Sequence, residues 1–124
     1  MSAGGTLQAA LAGVLSQEGS LSGVYDGPPA RAAFPYVTVD AGSESDWGHK
    51  NGTGREVMVA LTVWDEQPAR LAVLADRVEA IAAGVGPVAG WQLVSMQMIR
   101  RRTVRDVAGP WATAIDFRAR LLAD

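Results

Sequence analysis

The chain contains no cysteine, a single histidine, a single lysine and few aromatic residues, 6% of the total. Each scarcity closes off a class of function. Without cysteine there is no disulfide framework, no thiolate nucleophile and no sulfur-ligated metal. Charge is also sparse, at 19% of residues with a formal net of −2. Electrostatics therefore give no reason to expect nucleic acid or an acidic membrane as the main partner. No apolar run approaches the ~20 residues that cross a bilayer. The opening stretch "MSAGGTLQAALAGVL" lacks the positive n-region of a secretory signal. The expectation is a soluble chain made in the cytosol.

What is present fits one domain, 1–124, long enough to bury roughly two thirds of the surface its unfolded form exposes. Hydrophobic residues make up 48%, ordinary for a globular protein and too many for a disordered one. Ten arginines accompany the one lysine, with abundant alanine and glycine, a usage typical of a GC-rich genome.

Periodicity supplies the elements. Leu7, Leu11, Val14 and Leu15 form one stripe of a helix over Thr6 to Glu18, ended by Gly19. Ser20 to Arg31 reads as a loop, with Asp-Gly and Pro-Pro as turn chemistry. "FPYVTVDAG" alternates as a strand whose start, after Pro35, lies at a strand end or a sheet edge. In "REVMVALTVWDE", Val57, Val59, Leu61 and Val63 oppose Met58, Ala60, Thr62 and Trp64. Both faces are apolar enough for a central strand covered on at least one side by helices. Asp65, Glu66 and Pro68 predict the first turn of a second helix, with Leu71, Leu74, Ala75, Val78, Ile81 and Ala82 as its stripe and Gly84 and Gly86 as its end. "WQLVSMQMIRRRTV", the turn "RDVAGP" and "WATAIDFRARLLAD" read as an antiparallel pair. The fold class expected is α+β, a mainly antiparallel sheet with two helices packed on one face, in the order helix, strands, helix, strands.

The stretch "DWGHKNGTGRE" holds His49 and Lys50 among three glycines and is the first place to look for chemistry. A histidine base needs a nucleophile and an orienting group; Asp46 is three residues away, a spacing that fixes no geometry in a glycine-rich loop. A metal would need two or three further ligands. The stretch is not a phosphate-binding G-x-x-x-x-G-K-[ST] motif, and it leads into a strand where a phosphate cradle leads into a helix. At about ten residues it exceeds ordinary hairpin loops and reads as an arm or a flexible connection. Trp47 within it is either folded back as an anchor or exposed as an interface hot spot. Arg100, Arg101 and Arg102, with Arg105, form the strongest charge cluster. On a flat strand, neighbours point to opposite faces, so the three do not make one patch. A solvated strand end competes there with a contact to an acidic partner subunit or to passing DNA. No aromatics interleave with these arginines to stack bases.

"VYDGPPARAAFPYVTVDAG", then "DWGHKNGTGREVMVALTVWDE", an alanine-rich helix, "WQLVSMQM" and a closing "FRARL" together resemble the small tail-completion, or tail-terminator, proteins of long-tailed phages, prophages and gene transfer agents. The resemblance spans nearly the whole chain. Its most telling pieces are Tyr25-Asp26-Gly27 with the following prolines, Phe34-Pro35-Tyr36-Val37, and Asp46-Trp47 ahead of the strand from Arg55-Glu56 to Trp64. It implies a structural subunit, not an enzyme, without a cofactor, made in the bacterial cytoplasm and built into the virion. It further implies a homo-oligomeric ring, usually a hexamer, at the head-proximal end of the tail tube. The tail tube protein and the head–tail connector or stopper would be its partners, with DNA passing through the channel without specific binding and no membrane involved. No invariant residues transfer with the resemblance. The interface candidates come from this sequence alone: Asp46, Trp47, His49, Lys50 and Arg55 around the Ser43 to Gly54 loop, and Arg100, Arg101, Arg102 and Arg105. Two rival readings stand beside it, a neck head-completion or stopper protein and a small enzyme centred on His49.

Overall fold

A computed structural model describes residues 2–107 and 109–124. The elements are α1 (Ala3–Leu15), β1 (Gly23–Tyr25), β2 (Tyr36–Asp46), β3 (Gly54–Asp65), α2 (Pro68–Ala83), β4 (Trp91–Arg105) and β5 (Trp111–Ala123). The strands form one five-stranded sheet in the order β1-β2-β3-β5-β4. β1 and β2 run parallel and every other neighbouring pair is antiparallel. Both helices pack on the same face, so the architecture is the α+β arrangement expected from the sequence.

The core follows from alternation. Val37, Val39 and Ala41 of β2, Val57, Val59, Leu61 and Val63 of β3, and Ile115, Phe117, Ala119 and Leu121 of β5 point beneath the helices, each at most 2% exposed. Burying the Val, Leu, Ile and Phe side chains among them contributes about 1.5–3 kcal/mol apiece. The intervening residues, Met58, Ala60, Thr62 and Trp64 on β3 among them, lie on a face that no helix covers. β3 is central in the sheet, as its two apolar faces imply.

α1 starts three residues before the expected Thr6 because Ser2 caps it, its hydroxyl accepting from the Gly5 amide at 3.0 Å. Ala3, Leu7, Leu11 and Leu15 form the fully buried stripe. Gly4 lets this end approach the sheet, since a Cβ there would run into the Ala41 carbonyl. The helix ends at Leu15 and not at Glu18.

The stretch expected to be loop between Ser20 and Arg31 contains β1, paired Gly23 with Tyr36 through Tyr25 with Thr38. Three residues are too few for a period of two to be visible. β2 begins at Tyr36, so Pro35 stands at a strand end, one of the two places expected for it, and the strand lies between β1 and β3.

At α2 the expected acidic first turn is not formed. Asp65 ends β3 and is fully buried, and Pro68 opens the helix behind an uncapped Gln67. The Asp65 carboxylate accepts from Arg70 Nε at 2.7 Å, from an Arg70 terminal nitrogen at 2.6 Å and from the Gln67 amide at 3.3 Å. These bonds hold its pKa below the usual carboxylate range: the Arg70 bond dominates, and it outweighs the opposing effect of desolvation. Leu71, Leu74, Ala75, Val78 and Ala82 are buried as the stripe requires, with Ile81 half-buried.

Candidate assembly surface

The hairpin between β2 and β3 is more ordered than its glycines imply. β2 runs on to Asp46 and β3 starts at Gly54, so the connection shrinks to residues 47–53, closed by paired amide–carbonyl bonds between His49 and Gly52. The long arm expected from Ser43 to Gly54 is therefore largely a two-stranded ribbon. A register shift between Asp40 and Ser43 turns Glu44 and Asp46 toward the helical face, where both meet Arg55. Arg55 Nε lies 3.2 Å from Glu44 and a terminal nitrogen lies 3.3 Å from Asp46. Glu44 also accepts from the Gly4 amide at 2.8 Å, a carboxylate at the positive end of α1. Gly54 is buried where a Cβ would collide with the Trp47 carbonyl.

Of the candidates in this stretch, Asp46 and Arg55 are thus brought together in an intrachain clamp. Trp47 is folded back and half-buried, with the Arg120 guanidinium 5.4 Å from its ring centre. His49 and Lys50 are exposed at the turn. His49 Nδ1 accepts from the Asn51 amide at 3.3 Å, while the Asp46 carboxylate serves Gly48 and Arg55. The two do not form an acid–base pair. Among the described residues no group of three or more His, Asp or Glu side chains is placed to hold a metal ion.

The arginine cluster is divided by the strand. Bulges at residues 93–95 and 98–100 shift the parity of β4. Arg101 consequently points to the helical face and bonds Asp76 at 2.8 Å and Glu79 at 3.1 Å, both on α2. Desolvation works against its charge, but these two carboxylates prevail and raise its pKa. Arg105 lies over Trp111, 5.6 Å from the ring centre. Arg100 and Arg102 face the uncovered side, opposite Asp116 and Ala114 in register. They share that side with Arg118, bonded to Gln97 at 2.7 Å, and Arg120, bonded to Glu56 at 3.0 Å.

The uncovered face also carries an aromatic patch. Phe34 stacks on Tyr36 at 5.6 Å between ring centres, Tyr36 on Trp64 at 6.3 Å, and Tyr25 meets Tyr36 edge-on at 5.8 Å. The Trp64 indole N–H and the Arg118 Nε–H are buried without a partner among the described residues. Trp64 stands on this face with Met58 and Thr62, as the alternation along β3 implies. Across the middle of this face Asp40, Ala60 and Asp116 align in one row and line a shallow depression of about 280 Å³. Two strand spacings, roughly 10 Å, separate the two carboxylates, too far to share a proton. The face is open and polar, suited to contact with a macromolecule more than to enclosing a small substrate.

Comparison with known proteins agrees with that character. The family model described as "Tail completion protein gp17" matches residues 6–122. No curated protein matches the chain by sequence. Among solved structures, a chain in the virion of a native gene transfer agent (GTA) particle is similar to this one at 25% identity. The match covers 98% of each chain with a TM-score of 0.82.

Proposed function

Given that this chain belongs to the tail completion protein gp17 family and is a structural component of the virion, we propose that it closes into a homo-oligomeric ring, a hexamer, at the head-proximal end of the tail tube. There it ends tube polymerisation and joins the tail to the head connector. The observation that carries this reading is the agreement in fold, over 98% of each chain, with a chain of a gene transfer agent virion. The geometry supports it in a second way. The chain has a sheet face that no helix covers and a 15-residue edge strand, β4, the kind of surface that assembly uses. A net charge of −2 suits a ring through which DNA slides, because a strongly basic lumen would retain it through phosphate contacts. The partners proposed are further copies of the chain, the tail tube protein and the connector or stopper, with no cofactor.

Electron micrographs of particles made without the protein test the role. Overlong or headless tails are expected. Full heads that leak DNA would instead assign the protein to the neck as a stopper, and particles of normal form and infectivity would refute both.

A further inference from the structure

The ring reading leaves open which surfaces of neighbouring copies meet, and the charge distribution answers it. On the β1–β2 side, residues 20–46 carry Asp26, Asp40, Glu44 and Asp46 against Arg31 alone, a net of −3. On the β4–β5 side, residues 91–124 carry six arginines against Asp106, Asp116 and Asp124, a net of +3. Strand order places these halves at opposite ends of the sheet. Within the subunit Glu44 and Asp46 pair with Arg55, Arg101 with Asp76 and Glu79, and Arg120 with Glu56. Asp26 and Asp40 at one end, and Arg100 and Arg102 at the other, are exposed and form no ion pair among the described residues.

The two ends also differ in shape. The outer edge of β4 is unpaired over its length, and Val94, Met98, Ile99 and Val104 on that strand are 41–47% exposed. An edge so long and so apolar is one that natural sheets cover. At the opposite end the β2 edge past β1 is capped: the Gln8 side chain donates to the Val39 carbonyl at 3.2 Å and accepts from the Ala41 amide at 3.1 Å. What that end offers is a groove between α1 and β1, lined by Gln8, Ala12, Val24, Tyr25 and Val39, with Asp26 also on its lining.

We propose that copies of this chain associate head to tail, β4 of one protomer seating its exposed apolar side chains and Arg100 and Arg102 against the α1–β1 groove and the acids Asp26 and Asp40 of the next. Two different complementary patches make a heterologous contact, which closes into a ring when its rotation divides a full turn. The alternative, β4 against β4, sets Arg100 and Arg102 beside their own copies, and like charges across an interface oppose it. Because the charged partners lie near the surface, added salt weakens the contact.

This inference rests on the ring reading, and charge reversal separates the two. R100E/R102E and D26R/D40R are each expected to weaken self-association about tenfold or more in sedimentation or light scattering. Circular dichroism checks that each variant folds, and D26K replaces the second pair should D40R unfold the chain. Mixing the two variants in equal amounts restores assembly, since every contact then joins opposite charges again. Loss in R100E/R102E alone, with D26R/D40R unaffected, would show that β4 meets a surface other than the acidic end and overturn the proposal. If both variants assemble like the wild type, the interface is wrong and the ring survives. A wild-type chain that remains monomeric, alone and with tail tube protein, removes the ring and this interface together.

Discussion

Replacing Arg70 by alanine should destabilise the protein more than replacing its partner Asp65. The pair joins the end of β3 to the first turn of α2, and its members are unequally buried: the Asp65 side chain is 0% exposed and that of Arg70 is 40% exposed. Hydrogen bonds to charged groups contribute about 1.5–3 kcal/mol. In Asp65→Ala those bonds are lost, but the half-exposed guanidinium turns to water, so the expected cost is about 2 kcal/mol. In Arg70→Ala a buried carboxylate is left with the Gln67 amide at 3.3 Å as its remaining bond. A stranded buried charge costs about 3–5 kcal/mol, and the cost here should lie near 3 because the removed side chain admits water. At about 4 °C per kcal/mol for a domain of this size, the melting temperatures should fall by about 8 and 12 °C. Urea unfolding at pH 7, with the slope unchanged between variants, measures both costs. The pH dependence adds an independent check. In the wild type the folded pKa of Asp65 is depressed, so its stabilisation is fully present above the unfolded value of about 3.9 and is lost as pH falls through the folded value. Without Arg70, desolvation raises that pKa instead, so the deficit of Arg70→Ala should narrow between pH 7 and pH 4. An equal or reversed order of the two costs, or a gap that does not change with pH, would refute the assignment.

Three further outcomes are expected. Arg101→Ala should cost about 1 kcal/mol, because the ion pairs to Asp76 and Glu79 are partly solvated, and amide exchange should quicken in β4 around residues 100–105. Gln8→Leu strands the Val39 carbonyl and the Ala41 amide at the β2 edge, costing about 2 kcal/mol in thermal unfolding and promoting disordered aggregation seen by light scattering. His49→Ala should change stability by less than about 0.5 kcal/mol and leave particle assembly intact; a loss of either would return the imidazole to consideration.

Most of the scaffold was legible because strong periods mark it. Val57 to Val63 and Thr113 to Leu121 alternate too regularly to be anything but one-sided strands, and Leu71 to Ala82 repeats at helical spacing. The misses lie where contacts outside the hydrophobic period decided the outcome. α1 begins early because Ser2 caps it locally and because Gly4 lets that end lie against β2. β1 exists only by pairing with β2. Asp65 looked like a helix-start acid, whereas Arg70 and the buried end of β3 determine its position. The surface was harder to read than the core. The arginine run does not form one patch, as strand alternation implies, but the side each member takes depends on a bulge at Ile99, and an unpaired residue in a strand leaves no mark in a hydrophobic pattern. Asp46 and Arg55 stand among the interface candidates, and the structure brings them together with Glu44, a residue that composition gives no reason to single out.

Because the helices shelter only one side of the sheet, alternate positions along β3 and β5 answer to different demands. Exchanging Met58, Ala60 or Thr62 leaves Val57, Val59 and Leu61 undisturbed, so what the molecule touches can drift while the way it folds stays put. A lineage of particles built on this plan is free to change its neighbours one residue at a time without risking the subunit itself.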